Sequence, residues 1–180
     1  MKIIVLIALA LAFSGPLQAA TNDADVFQAR RDALMKKLDG GVAVMYGATD
    51  DGGEIVKGQF VQESSFYYLT GISEPGAALL LAPGERPYKE ILFLQPRNPE
   101  VENWDGRREP LGDSLDEATG FEKVLRIGAL PSELTAMLQR SKKAIFLGPI
   151  VSAAADMPKA LSILQDAQSR VPGTSLENMA

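Results

Sequence analysis

The densest chemistry in this 180-residue chain lies between Pro96 and Gly112. Glu100, Glu102 and Asp105 place three carboxylates close together. Paired carboxyls can divide general-acid and general-base work when their surroundings push their pKa values apart. A solvated acidic loop accounts for the same residues, because Arg107 and Arg108 stand near enough in sequence to neutralise them. The more informative group is Trp104, Gly106, Arg107 and Arg108, an aromatic plane beside two guanidinium forks, with a glycine that lets the backbone approach a partner. Tryptophan and arginine dominate interface energetics. Two readings of this group stand side by side: a binding or interface site, or an indole packed on the domain's own surface with one arginine paired to Glu102.

The chain has no histidine and no cysteine. Zinc, serine-nucleophile and cysteine-nucleophile sites mostly rely on imidazole or thiolate, whose pKa values suit ligation and proton transfer near neutrality. Those classes are largely closed, which leaves carboxylate chemistry and binding. No glycine pattern makes a phosphate loop.

The first residues follow the grammar of an export signal: Lys2, an apolar run from Ile3 to Phe13, then Gly15 and Pro16 before Ala19 and Ala20. The run is far shorter than the ~20 residues a membrane-spanning helix needs. Residues 1–20 are therefore expected to be a cleaved signal peptide and the protein to be exported, periplasmic or secreted. Cleavage takes one lysine from 18 basic residues against 23 acidic ones, so the mature net charge is minus six. That balance points to neither nucleic acid nor an anionic membrane as partner. Without cysteines, stability must come from a packed core, and the mature length supports one domain.

The elements that must carry the polar loop follow from pattern. Asp25 is expected to cap a helix with Phe27, Leu34 and Leu38 on one face, Lys36 and Lys37 in its last turn, and Gly40 and Gly41 after it. Val42–Tyr46 reads as a buried strand, Asp50–Gly53 as a turn, and Ile55–Val61 as weakly strand-like. Phe66, Tyr67, Tyr68 and Leu69 read as a core seed with one tyrosine hydroxyl reaching the surface, and Gly71 and Gly76 as turn glycines. Ala77–Ala82 and Ile91–Leu94 form an expected antiparallel hairpin.

Beyond the polar loop, Leu115–Thr119 reads as a short helix and Val124–Ile127 as a strand. Pro131 opens a helix carrying Leu134, Met137 and Leu138. Ala144–Leu147 is expected to be the last buried strand, Asp156 to cap a helix with Met157, Leu161 and Leu164, and the tail from Pro172 to be irregular. Together these give an α/β domain whose mixed β-sheet has helices on both faces.

Two stretches then resemble one family, the N-terminal domain of aminopeptidase P, related to those of prolidase and creatinase. Within Gln62–Gly76, the run Phe66-Tyr67-Tyr68-Leu69-Thr70-Gly71 followed by Glu74-Pro75 resembles the family's aromatic, Thr-Gly and Glu-Pro signature. The second stretch is Glu102, Trp104, Gly106, Arg107 and Arg108. The resemblance runs from Asp25 to Ser169, with Arg30, Arg31 and Leu34 also fitting. It departs from the family pattern at Val61, at Asn98 and in the run Glu109-Pro110-Leu111-Gly112.

The resemblance implies a non-catalytic domain at residues 21–171, with residues 172–180 beginning a linker toward a C-terminal catalytic domain of pita-bread fold. In the family that domain binds two metal ions, usually manganese, through two Asp, one His and two Glu, a set that this chain does not contain, so no catalytic or metal residue is assigned here. The implied activity of the parent is release of the N-terminal residue before a penultimate proline. Implied partners are the catalytic domain, short proline-containing peptides and further copies in a homo-oligomer. By the resemblance, Trp104, Arg107 and Arg108 lie nearest the substrate cleft or the domain interface. The chain would be a fragment, a truncated product or a free-standing relative, and the alternative function is a periplasmic binding or oligomerisation module without peptidase activity.

Overall fold

Six strands assemble into one mixed sheet in the computed structural model, which describes residues 23–49, 54–56, 59–98, 110–147 and 158–179. The chain runs α1 (Asp23–Lys37), β1 (Val42–Tyr46), β2 (Glu54–Val56), β3 (Gln59–Val61), α2 (Ser64–Thr70), β4 (Ala78–Leu81) and β5 (Glu90–Leu94). It continues with α3 (Asp113–Thr119), β6 (Val124–Arg126), a 3-10 turn (Ile127–Ala129), α4 (Leu130–Ser141), β7 (Lys143–Phe146), α5 (Lys159–Arg170) and β8 (Ser175–Asn178). The sheet order is β6-β5-β4-β1-β7-β8, and β2 and β3 form a separate two-stranded ribbon.

The α/β class with helices on both faces is what the structure has. The central strands are apolar throughout because both of their faces are covered. Val42 and Val44 of β1, Ala78 and Leu80 of β4, Ile91 and Phe93 of β5, and Ala144 and Phe146 of β7 pack under α4 and α5. The alternate residues Ala43, Leu79, Leu81, Leu92, Leu94 and Ile145 pack under α1, α2 and Phe121. A period of two thus divides each strand between two cores.

Several local expectations are corrected. α1 already includes Asp23, so Asp25 lies in the first turn, where its charge complements the helix dipole rather than capping the end. Ile55–Val61 is not one strand: Ile55 pairs with Phe60 across the β2–β3 ribbon. The aromatic run is helical, so Phe66 and Leu69, three apart, turn inward while Tyr67 and Tyr68 are both exposed.

Glu63 caps α2, its two carboxylate oxygens accepting from the Ser65 and Phe66 amides at 2.9 and 2.6 Å. Gly71, at φ +69°, ends the helix in the left-handed conformation that glycine adopts freely. The 124–127 strand stops at Arg126, where the 3-10 turn takes over. β7 is not the last strand, because Ser175–Asn178 pairs with it in parallel and the tail is ordered as an edge. Asp156 and Met157 lie outside the described residues, and α5 begins at Lys159 with Pro158 at its N-cap.

One polar group is built into the second core. Arg31 is fully buried, with Nε and Nη2 donating to the Glu90 carboxylate at 2.7 and 3.1 Å. Its remaining donors reach the Leu69 and Gly120 carbonyls at 3.1 and 2.8 Å, and its guanidinium lies 3.9 Å from the centre of the Phe121 ring. A single side chain therefore ties α1 to the C-terminal ends of α2 and α3 and to the start of β5.

Candidate functional site

Strand direction decides which end of the sheet collects the loops. β1, β7 and β8 run parallel, β5 and β6 run parallel, and β4 is antiparallel to both β1 and β5. Five of the six strands consequently point their carboxyl ends the same way, with β4 alone reversed. Ligand crevices in open α/β sheets lie outside carboxyl ends. The connections that follow β1, β5 and β7 start from that end, at Gly47, Gln95 and Leu147.

The connection after β5 leads on in sequence to the polar stretch Pro96–Gly112. Trp104, Arg107 and Arg108, with Glu100, Glu102 and Asp105, lie outside the described residues, as do Asp50–Gly53. Around the start of that connection the described residues form a hydrogen-bonded group. Gln62 sits at its centre: Oε1 accepts from the Ala48 and Glu63 amides at 2.6 and 2.9 Å, and Nε2 donates to the Glu74 carbonyl at 3.1 Å. Glu74 Oε1 accepts from the Gln95 amide at 3.1 Å, and the Gln95 side chain donates to the Gly76 carbonyl at 2.6 Å. Arg126 closes the group by donating to the Gln95 carbonyl at 3.0 Å.

Glycines stand where these chains approach. A Cβ on Gly47 would lie 2.7 Å from Gln62 Oε1, and one on Gly76, at φ +67°, would lie 2.5 Å from Gln95 Nε2. Gly47 and Gly76 also extend the β1–β4 ladder, donating to the Ala77 and Ala48 carbonyls at 2.9 and 2.7 Å. Gln62 and Glu74 are visible in sequence as part of the Gln62–Gly76 stretch. Gln95 was missed, and its only sequence signal is a polar residue directly after a buried strand.

Beside this base a cleft of about 400 Å³ opens between the ends of β1 and β7, lined by Tyr46, Thr49, Glu63, Ser65, Leu147 and Lys159 among others. Burial raises the Tyr46 phenol above its ordinary value. The Glu63 carboxylate is occupied by its helix cap, so the cleft offers hydroxyls and one ammonium rather than an acid/base pair. Among the described residues no three Asp or Glu side chains converge as a metal site. The arrangement can bind and position. Among the described residues no helix is long and apolar enough to cross a membrane.

Comparison with known proteins bears on the same region. Residues 27–146 match the family described as "Aminopeptidase P, N-terminal domain". The Xaa-Pro aminopeptidase of Escherichia coli is 31% identical over 116 residues, covering 62% of this chain and 26% of that protein. That of Haemophilus influenzae is 57% identical over 49 residues, 27% of this chain and 11% of that protein. Among solved structures, aminopeptidase PepP of Pseudomonas aeruginosa superposes with a TM-score of 0.66 at 25% identity, over 86% of this chain and 36% of that one. An Escherichia coli aminopeptidase P variant solved in complex with substrate shares the fold, with a TM-score of 0.64 at 23% identity over 86% of this chain and 36% of that one. The chain thus spans about a third of the length of the solved relatives it matches.

Proposed function

Because this chain belongs to the aminopeptidase P N-terminal domain family, we propose that it is the non-catalytic domain of an exported Xaa-Pro aminopeptidase and helps to shape that enzyme's substrate cleft and oligomer. The observation that supports this reading, beside the family match over residues 27–146, is the gathering of five strand ends and the Gln62–Glu74–Gln95 base at one end of the sheet, where β5 ends shortly before Trp104 in sequence. A rigid base of this kind suits a binding loop, because positioning on a rigid scaffold is what gives loops their function.

In this reading Trp104, Arg107 and Arg108 contact peptide ends or the neighbouring domain, where a guanidinium can grip a carboxylate with two hydrogen bonds. Hydrolysis before a penultimate proline belongs to a C-terminal catalytic domain of pita-bread fold, which would hold two manganese ions. No step of that reaction is carried by this chain's own residues. A linker toward such a domain would begin within residues 172–180, and since β8 belongs to the sheet it would start after that strand. Residues 1–20 act as the export signal, which makes the site of action periplasmic or extracellular.

The test is release of the N-terminal residue from an Xaa-Pro tripeptide, with manganese, by the purified chain alone and by the chain mixed with the catalytic domain of a relative. The expected result is no turnover alone and a rise on mixing that Arg107→Ala and Arg108→Ala diminish. Turnover by the chain alone would overturn the reading.

A further inference from the structure

The end of the sheet opposite the cleft collects five connections, all among the described residues. There α1 leads into β1, β4 turns into β5, and α3, α4 and α5 lead into β6, β7 and β8. The carboxylates at this end are largely matched already: Glu90 by Arg31, Glu85 by Arg140, Asp116 by Lys123 and Asp39 by Lys143. Glu122 accepts from the Lys89 amide at 2.6 Å. Among the described residues, five cations are left without a carboxylate: Lys36 and Lys37 at the end of α1, Arg86 and Lys89 in the β4–β5 turn, and Lys142 between α4 and β7. The acids still unmatched there, Glu117 and Glu122, are fewer. The net charge of −5 belongs to the whole chain and conceals this arrangement. Lys36 and Lys37 complement the dipole of α1, but no helix ends at Arg86 or Lys89.

The five lie at the ends of four adjacent strands, β5, β4, β1 and β7, a span of about 14 Å at ~4.8 Å per strand. Because α1 covers one face of the sheet and α4 the other, they also spread across the layers. The cations therefore describe a plane rather than a line. Beside Lys89 the Tyr88 side chain is 37% exposed, an aromatic ring with a polar tip that suits the headgroup layer of a bilayer. We infer that this end of the domain adsorbs to an anionic lipid bilayer, its cations against headgroup phosphates and Tyr88 in the interface. The opposite end, with the Gln62–Glu74–Gln95 group, then faces solution. The inference rests on these connections alone and holds whether or not the chain serves a peptidase.

Near an anionic bilayer each Lys or Arg strengthens adsorption roughly fivefold. Co-sedimentation would compare the purified chain on vesicles of phosphatidylcholine alone and of phosphatidylcholine and phosphatidylglycerol in equal parts. The neutral vesicles report adsorption through the apolar run Ile3–Phe13, which needs no anionic lipid. The expected result is tighter binding to the anionic vesicles, weakened by added salt. Arg86→Glu and Lys142→Glu should each lower that binding roughly tenfold, since a reversal removes an attraction and adds a repulsion, and Tyr88→Ala should lower it further than its unchanged charge predicts. Lys159→Glu makes the same change of net charge at the other end of the sheet and should lower it far less; thermal melts follow folding in each variant. Equal binding to both kinds of vesicle, or a loss with Lys159→Glu that matches Arg86→Glu, overturns the inference. So does binding to polyglutamate in solution that is as tight as to the anionic vesicles and indifferent to Tyr88→Ala, which would assign these cations to an acidic protein surface.

Discussion

Arg31→Met is the sharpest perturbation of this fold. It keeps an unbranched, helix-favouring side chain in α1 but removes four hydrogen bonds, two to Glu90 and one each to the Leu69 and Gly120 carbonyls. The carboxylate left behind is 3% exposed. Breaking a buried pair from one side costs about 3–5 kcal/mol, because the surviving charge keeps its desolvation penalty and loses its compensation. That is a large part of the roughly 5–15 kcal/mol available to a domain. With a urea slope of about 1.5–2 kcal/mol/M, the unfolding midpoint should fall by roughly 1.5–3 M. The informative control is Arg31→Met with Glu90→Leu, which removes both ions and should recover most of the loss. A single variant costing under about 1 kcal/mol, or a double variant as unstable as the two singles added together, would refute the clamp.

Gly71→Ala should destabilise by about 1–3 kcal/mol, since φ +69° strains any L side chain and the new Cβ would meet the Phe27 ring; a thermal melt measures it. Tyr46 gives a pH signature. Its folded-state pKa is raised by burial above 10.0, so the folded protein holds the phenolic proton more tightly than the unfolded chain does. The associated stability is complete below the unfolded value and is lost as pH rises through the folded one. Urea melts across the alkaline range should show that decline, and Tyr46→Phe should flatten it. On the sequence reading of Trp104 as a binding residue outside the core, Trp104→Ala should leave the domain folded with a melting curve near wild type, a change of within about 0.5 kcal/mol; a cooperative loss of folding would mean that the indole is a core residue.

What could be read in the sequence was whatever local pattern decides. β1 matches its expected limits because a short apolar run bounded by glycines and a polar turn has few alternatives. The β4–β5 hairpin and α4 were legible for the same reason. Three features were not, each settled by something outside the segment. The run Phe66–Leu69 reads as a core seed by composition, and its helical twist is favoured by the Glu63 cap before it and Gly71 after it. Ser175–Asn178 is polar and becomes a strand only because β7 offers it a free edge. Arg31 reads as one of two adjacent surface arginines, and nothing nearby announces that its partner lies 59 residues away at Glu90. For the candidate site, the signature Gln62–Gly76 was visible from its residue types, and the hydrogen bonds that make it the base of a loop were not.

The position of β1 in the sheet governs how the chain can be made. Its neighbour on one side, β4, follows within a few dozen residues, but on the other side Val42 pairs with Ala144, 102 positions later. A chain emerging from its N-terminus can zip β1, β4 and β5 together at once, yet β1 keeps a bare edge until β7 arrives. A pairing at that sequence separation must close a long loop before it is rewarded, which makes it intrinsically slower to form than the hairpin. A nascent chain halted before Lys143 would display an open apolar edge, an invitation to chaperones and to aggregation.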